Sequence, residues 1–174
     1  MKDIIKPIAV LAGICLVVTA LLAYINMVTS PIIKEAEEKA AAEARAEVLS
    51  EADEFELLDV NLPEGVTEAY KAKNDAGYVF MLTTKGYGGY IKLICGIKND
   101  GSIEMTKTLS HGETSGIGSK VVGNDSSYRE QYKGKTADDY DSVDAVTGAT
   151  ISSKAYKKAI ESAFEAYKTV KEAK

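Results

Sequence analysis

The segment YVFMLTTKGYGGYIKLICGIKNDGSIEMTKTL, residues 78–109, contains three runs of strand-forming residues separated by two short glycine-containing reversals. Such runs favour β-strands, which we predict over residues 78–84, 90–98 and 102–109. The second reversal, Asn99-Asp100-Gly101, is a strong hairpin signal because Asn, Asp and Gly tolerate the positive φ angles of tight turns. Strands joined directly by turns pair as antiparallel neighbours, so the segment predicts a β-meander rather than alternating strands and helices.

Two further strand patterns precede this meander, over residues 56–60 and 66–71, and helical patterns follow it. Near the C-terminus, apolar residues recur at intervals of three and four, which predicts a helix over residues 151–172 with one apolar face for the sheet. The residues of that face are Tyr156, Ala159, Ile160, Ala163, Phe164, Tyr167 and Val170. A shorter helix is predicted over residues 124–133. The sequence therefore predicts an α+β fold, in which a small antiparallel sheet is packed by helices.

The N-terminal region is too apolar for the surface of a globular domain. Residues 8–28 contain no charged side chain, and at about 1.5 Å per residue a helix of this length spans roughly the 30 Å hydrocarbon core of a bilayer. Lys2 and Lys6 precede this predicted transmembrane helix, and a positive flank favours the cytoplasmic side, so the rest of the chain is expected outside the cytoplasm. A cleaved signal peptide agrees less with the sequence, because no Ala-x-Ala site follows the apolar run and Pro31 would follow the cut.

Residues 31–54 are rich in Ala and Glu with interspersed Lys and Arg, and we predict a solvated helix that starts at Ser30 and Pro31. The expected organisation is a cytoplasmic stub and anchor in residues 1–30, this juxtamembrane helix in residues 31–54, and an extracytoplasmic domain in residues 55–174. The whole chain has a formal net charge of −5. This acidic balance disfavours binding to nucleic acid or to an anionic membrane surface.

Cysteine and histidine are scarce. Cys95 is the only cysteine after the apolar run, so no disulfide can form within the expected extracytoplasmic part. His111 is the only histidine, and no Cys pair has the spacing of a zinc or iron–sulfur site. We therefore predict no metal site, and a redox function would require an organic cofactor.

The run Asp144-Ala145-Val146-Thr147-Gly148-Ala149-Thr150 lies directly before the C-terminal helix. Thr150 is therefore expected at the helix N-terminus, where unpaired backbone N–H groups and the positive end of the helix dipole favour a phosphate. Lys154, one turn further on, adds a positive charge. A plain turn with an N-cap is the structural alternative, because caps of this kind are common.

A second segment, His111-Gly112-Glu113-Thr114-Ser115-Gly116-Ile117-Gly118, follows the meander directly. Its glycines would allow backbone N–H groups to approach a ligand closely, and Glu113 and Thr114 add side-chain hydrogen-bonding groups. The segment is not a P-loop, since no Gly-Lys-(Ser/Thr) follows at the required spacing. A hydrolase would have to combine His111 with Ser110, Ser115 or Ser119. Residues adjacent in sequence rarely form a triad, however, and no Gly-x-Ser-x-Gly elbow is present.

Both segments resemble motifs of covalent FMN-binding domains. Residues 144–150 resemble the Asp-x-x-(Ser/Thr)-Gly-Ala-Thr signature, in which FMN is attached through a phosphoester to the last Thr. The implied roles are covalent attachment at Thr150, cofactor binding at Thr147, Gly148 and Ala149, and flavinylation recognition at Asp144. The second segment is similar to the family's Glu-Thr-Pro-Gly-(Leu/Ile)-Gly pattern, with Ser115 in place of Pro. The resemblance implies that this loop borders the flavin through His111, Glu113, Thr114, Ser115, Gly116, Ile117 and Gly118.

Within this family, the compact chain is most similar to the G subunits of Rnf-type complexes, which are ion-translocating ferredoxin:NAD⁺ oxidoreductases. The resemblance implies an electron-relay subunit without complete activity of its own. It also implies other membrane subunits as partners and a flavin transferase for maturation. Two alternatives are the usually longer C subunit of the sodium-pumping NADH:quinone reductase and, from a different class, a non-redox membrane-anchored scaffold subunit.

Overall fold

The computed structural model describes residues 2–172, with side-chain detail from residue 5 onward. The side chain of Lys2, which contributes to the expected orientation, and the outer ends of regions 1–30 and 55–174 lie outside the described residues. The chain divides into two compact units, one ending at Ala40 and the other beginning at Ala41.

The first unit consists of a single helix. Helix α1 (Lys2–Val48) extends beyond this unit, and it is long and apolar enough to cross a membrane. The apolar side chains of residues 8–28 are exposed, Leu16 and Met27 among them. The helix start predicted at Ser30 and Pro31 is wrong, because α1 continues without a break through Pro31. The neighbouring Ala, Glu and Lys residues are strong helix formers, which offsets the hydrogen bond that proline cannot donate.

The second unit is built around a five-stranded sheet in the order β1-β2-β3-β4-β5. Its strands are β1 (Phe55–Leu57), β2 (Val66–Ala72), β3 (Gly77–Lys85), β4 (Tyr90–Lys98) and β5 (Ile103–His111). Each strand pairs antiparallel with the next along the chain, so the predicted meander and the α+β class are confirmed. The reversal between β4 and β5 contains Gly101 with a φ of +90°, as the Asn-Asp-Gly signal indicates.

One face of the sheet packs against the C-terminal helix, α4 (Thr150–Glu172), which starts one residue before its predicted position. Phe80 on β3 and Leu93 on β4 are buried in the same apolar cluster as Ile160 on α4. Cys95 also points to this face, where burial raises the pKa of its thiol and keeps it neutral. Residues two apart on a strand share a face, which explains why this cluster follows the alternation of the strands.

The opposite face of the sheet buries the end of α1. Ala44 and Val48 form a second apolar cluster there with Ile94 of β4. Gly96 lies beneath this helix end, and a Cβ at that position would collide with the Val48 carbonyl oxygen. The last turns of α1 are therefore part of the core. This corrects the prediction of a solvated helix for its C-terminal part, whereas residues 31–40 are helical and exposed.

Between β5 and α4 the chain forms only short helices. These are α2 (Ser119–Val122), α3 (Ser127–Glu130) and a 3-10 helix at Tyr140–Ser142. The helix predicted over residues 124–133 is thus shorter than expected. The Asn124 side-chain amide exchanges two hydrogen bonds of 3.0 Å with the Thr108 backbone on β5, which holds it outside the helix. Ser126 then caps α3 by accepting a hydrogen bond from the Tyr128 N–H.

Candidate functional site

A tight turn leads the chain into helix α4. The Val146 carbonyl accepts a hydrogen bond from the Ala149 N–H at 2.9 Å, and Gly148 between them has a φ of +82°. This combination is typical of a type II turn, whose third residue needs a positive φ that glycine adopts without strain. The Ser153 hydroxyl accepts from the Val146 N–H and donates to the Ala149 carbonyl, each at 3.0 Å. The first turn of the helix therefore fixes the turn that precedes it.

Thr150 is the first residue of α4, which confirms its predicted position at the helix N-terminus. The Ser153 N–H donates to the Ala149 carbonyl at 2.9 Å, so the N–H groups of residues 150–152 come before this bond and have no helical acceptor. The Thr150 side chain is exposed at this end of the helix. The helix dipole and the free N–H groups favour a phosphate at this position.

Buried tyrosines hold the start of α4 against its neighbours. The Tyr128 hydroxyl of α3 donates to the Ser153 carbonyl at 3.3 Å and lies 3.0 Å from the Tyr132 hydroxyl. The Tyr156 hydroxyl of α4 donates to the Thr106 hydroxyl oxygen of β5 at 2.7 Å. Burial raises the pKa of both Tyr132 and Tyr156, so these hydroxyls stay protonated and able to donate.

The glycine-rich loop contains a turn of the same kind. The Thr114 carbonyl accepts hydrogen bonds from the N–H groups of Ile117 at 3.3 Å and Ser119 at 3.2 Å, and Gly116 has a φ of +77°. Ser115 therefore occupies the second position of the turn, where proline is favoured because its fixed φ matches the required angle. The family pattern has Pro at this position. Ser115 thus keeps the turn without the stiffening ring.

Glu113 is buried and its carboxylate is turned into the protein. Its Oε2 accepts a hydrogen bond from the Ser152 hydroxyl at 2.6 Å, and its Oε1 accepts from the Gly88 N–H at 3.2 Å. A Cβ at Gly86 or Gly118 would collide with the same carboxylate. Glu113 therefore joins the β3–β4 reversal, the loop and the first turn of α4. Gly118 makes room for Glu113, which differs from the expectation that the loop glycines leave room for a ligand.

The two motifs meet at a surface cavity of about 410 Å³. Its lining comes from the β3–β4 reversal, the glycine-rich loop and the start of α4: Tyr87, Glu113, Thr114, Ile117, Gly118, Gly148, Ala149, Thr150, Ile151 and Ser152. A volume of about 300–1,000 Å³ is usual for ligand pockets. The structure therefore brings the predicted attachment residue and four of the predicted loop residues to one cavity of ligand size. We call it the Thr150 cavity.

A second cavity, of about 750 Å³, is also bordered by Glu113. His111 and Ser115 line this second cavity and not the Thr150 cavity. The His111 Nδ1 accepts a hydrogen bond from the Glu113 N–H at 3.3 Å. Three further predicted site residues are exposed and line neither cavity: Gly116, Asp144 and Thr147. The structure thus divides the predicted loop residues between two cavities, with Glu113 common to both.

Three residues of the Thr150 cavity were not predicted from the sequence: Tyr87, Ile151 and Ser152. Tyr87 lies within Gly86-Tyr87-Gly88-Gly89, which the sequence identifies only as a reversal. An aromatic residue between glycines was the available signal. Ile151 and Ser152 directly follow Thr150 in the first helical turn, so their proximity follows from the helix position alone.

Comparison with known proteins identifies both parts of the chain. Residues 86–165 match the FMN-binding domain family, and residues 1–48 match the RnfG N-terminal region. The first match includes the β3–β4 reversal and both sequence motifs. The second covers the whole of α1.

Curated relatives resemble the chain over most of its length. The G subunit of a proton-translocating ferredoxin:NAD⁺ oxidoreductase complex from Clostridium ljungdahlii is 30% identical, covering 87% of this chain and 84% of the relative. The G subunit of a Na⁺-translocating ferredoxin:NAD⁺ oxidoreductase complex from Acetobacterium woodii is 30% identical, covering 97% and 94%. The G subunit of an ion-translocating oxidoreductase complex from Methanosarcina acetivorans is 31% identical, covering 94% of each. The chain therefore belongs to the family of G subunits of ion-translocating ferredoxin:NAD⁺ oxidoreductase complexes and contains an FMN-binding domain.

Proposed function

We propose that this chain is the electron-relay subunit of an Rnf-type ferredoxin:NAD⁺ oxidoreductase complex and that it carries FMN through a phosphoester to Thr150. The observation that carries this proposal is the Thr150 cavity. It combines a hydroxyl side chain at the N-terminus of a 23-residue helix with the loop of the second family motif. One location thus offers an oxygen for the phosphoester, donors for the phosphate and a pocket for the rest of the cofactor.

The residues around Thr150 suit FMN. The first-turn N–H groups of α4 stabilise an exposed anion by about 0.3–1 kcal/mol. Lys154 is exposed one turn further on and adds a positive charge. Gly148 and Ala149 present little side chain beside Thr150, and no described atom beyond Gly148 and its two chain neighbours lies within 4 Å of the Cβ site at Gly148. The phosphate and a modifying enzyme therefore have access to the Thr150 hydroxyl.

Attachment of the cofactor requires a flavin transferase that uses FAD and a divalent metal. The Thr150 oxygen forms a bond to the phosphorus of the FMN half as the bond between the two phosphates of FAD breaks. AMP leaves, and the hydroxyl proton passes to a base of the transferase or to water. Asp144 would repel the phosphate, so we assign it, with Thr147, to recognition by the transferase. Both side chains are exposed.

FMN supplies one- and two-electron transfer chemistry, while the protein sets its position and potential. The covalent bond would keep the cofactor on a domain outside the cytoplasm, where a dissociated flavin would be lost. Other membrane subunits would exchange electrons with this domain. The chain alone would then have no complete enzymatic activity.

The proposed orientation places the N-terminus in the cytoplasm and the FMN domain outside. Lys6, Lys2 and the uncharged span support it. In the variant Glu172→Cys, a membrane-impermeant thiol reagent should label intact cells or spheroplasts. Background labelling is low because Cys95 is buried and Cys15 belongs to the span. Labelling of Glu172→Cys only after lysis would contradict the orientation.

The attachment residue is tested in the full-length protein produced with its flavin transferase. Thr150→Ala should abolish the fluorescent band on a denaturing gel, whereas Thr150→Ser keeps a hydroxyl and should retain the band. Thr147→Ala is the matched control, since it removes an exposed hydroxyl three residues away and should weaken the band without eliminating it. A band that persists in Thr150→Ala, or an FMN mass increment mapped to another residue, would contradict the assignment.

A further inference from the structure

Three large apolar side chains line the Thr150 cavity, although all three are exposed. Tyr87 of the β3–β4 reversal is 72% exposed, Ile117 of the loop 52%, and Ile151 of α4 56%. Each belongs to a different segment of the chain. Single exposed apolar residues are ordinary on protein surfaces, but three from different segments around one cavity form an exposed apolar patch, which is typical of a binding site.

Tyr87 is held in place by its neighbours. The Gly86 N–H donates to the Gly89 carbonyl at 2.8 Å, and the Gly88 N–H donates to the buried Glu113 carboxylate at 3.2 Å. A Cβ at Gly88 would collide with the Gly112 carbonyl oxygen, so the reversal lies directly against the glycine-rich loop. The backbone on both sides of Tyr87 is thereby fixed relative to the cavity.

We propose that Tyr87 packs its ring against the isoalloxazine ring of the flavin, with Ile117 and Ile151 completing the apolar contact. This inference rests on the proposed attachment of FMN to Thr150. The flavin ring is the large planar part of the cofactor, and aromatic rings favour offset-stacked or edge-to-face contact with such groups. Because Thr150 lines the same cavity, a flavin tethered there lies within reach of all three side chains. An apolar surface of a partner subunit is the competing occupant.

The contact is tested by the flavin fluorescence of the folded protein, expressed per attached flavin. The full-length protein is produced with the flavin transferase and purified in detergent. The emission of each native sample is divided by its emission after denaturation, which counts the attached flavin. A phenol packed on the flavin quenches emission by donating an electron to the excited ring. Tyr87→Ala should therefore raise the ratio above that of the wild type.

Two further variants separate the ring contact from other effects. Tyr87→Phe should also raise the ratio, because a phenyl ring is a poor electron donor, but it should keep the wild-type absorbance spectrum, since the ring still packs. Tyr90→Ala is the matched control: Tyr90 is 66% exposed on the adjoining strand and does not line the cavity. Its ratio should equal that of the wild type.

An unchanged ratio in Tyr87→Ala would overturn the proposed contact while leaving attachment at Thr150 intact. The Tyr87→Ala variant is also purified from cells that produce the other subunits of the complex. Loss of a partner subunit there, together with an unchanged ratio, would overturn the contact too and would identify the surface as a protein docking site. Absence of covalent flavin from the wild-type protein would instead contradict the proposed function.

Discussion

The turn at residues 114–117 and the turn at residues 146–149 have the same backbone geometry but different surroundings. Each has a glycine with a positive φ, +77° at Gly116 and +82° at Gly148. No described atom beyond the glycine and its two chain neighbours lies within 4 Å of either Cβ site. The first turn leads into the four-residue helix α2, and the second into the 23-residue helix α4. A single turn of helix sums few peptide dipoles, so only the second turn opens on a substantial positive helix end.

The side chains beside the two turns also differ in their exposure. Thr150 is exposed after the second turn, whereas Glu113 is buried before the first and bonds to Gly88 and Ser152. The second turn is followed by an exposed hydroxyl, and the carboxylate before the first turn joins the segments that line the Thr150 cavity. We therefore propose that the second motif provides the attachment group and that the first supports the cavity beside it.

The largest effect is expected when the buried carboxylate of Glu113 is removed. Glu113→Ala leaves the buried Ser152 hydroxyl without this acceptor, and an unsatisfied buried group costs about 1–3 kcal/mol. It also removes the acceptor of the Gly88 N–H. We expect a lower free energy of unfolding in detergent and less covalent flavin on a denaturing gel. Glu113→Gln keeps one acceptor oxygen and should fall between the alanine variant and the wild type. A free energy of unfolding within about 0.5 kcal/mol of the wild type, the usual range for surface changes, would contradict the proposed role of Glu113.

The next prediction concerns Gly118, where the absence of a side chain leaves space for Glu113. Gly118 has an ordinary φ of −66°, but a Cβ there would lie 2.8 Å from the Glu113 Cβ. Gly118→Ala should therefore destabilise the domain by about 1–3 kcal/mol, as expected for overpacking. In the absence of a collision, the same substitution at a helical φ would stabilise a protein by about 0.4–1 kcal/mol through the unfolded state. The sign of the change in thermal unfolding temperature thus decides whether Glu113 occupies this space.

Local patterns predicted the sheet, the C-terminal helix and the position of Thr150 at the start of that helix, but they did not predict contacts between residues far apart in sequence. The Asn99-Asp100-Gly101 hairpin and the periodicity of α4 depend on neighbours in sequence, so both follow from the order of the residues alone. The inward turn of Glu113 depends on Ser152, 39 residues away, and on Gly88, 25 residues away. No periodicity encodes such partners. The unbroken course of α1 through Pro31 escaped prediction for a different reason, because the strong propensity of the flanking residues outweighed a local stop signal.

Backbone strain in the first turn should have a smaller effect, and the chain contains a matched control for it. Gly116 and Gly134 have φ angles of +77° and +78°, and neither Cβ site has a described atom within 4 Å beyond the glycine and its two chain neighbours. Replacement of either by Ala should cost about 1–2 kcal/mol, the cost of the left-handed conformation for an L-residue. Only Gly116→Ala should also lower the yield of covalent flavin, since only Gly116 lies in the loop that borders the Thr150 cavity. Equal flavin yields in the two variants would show that the loop turn has no effect on attachment.

The smallest predicted effect is a gain in stability. Ser115 occupies the turn position that favours proline, and the hydrogen bonds of this turn use the N–H groups of Ile117 and Ser119 rather than that of Ser115. Ser115→Pro should therefore raise the free energy of unfolding by about 0.4–1 kcal/mol, because proline restricts the unfolded chain. Ser119→Pro is the contrasting control, since it removes the N–H that donates to the Thr114 carbonyl at 3.2 Å, and it should lower stability. Attachment at Thr150 should continue in Ser115→Pro, since the second turn is untouched. A lower unfolding temperature in Ser115→Pro would mean that residue 115 requires a φ that proline cannot adopt. The turn at residues 114–117 would then differ in geometry from the turn before α4.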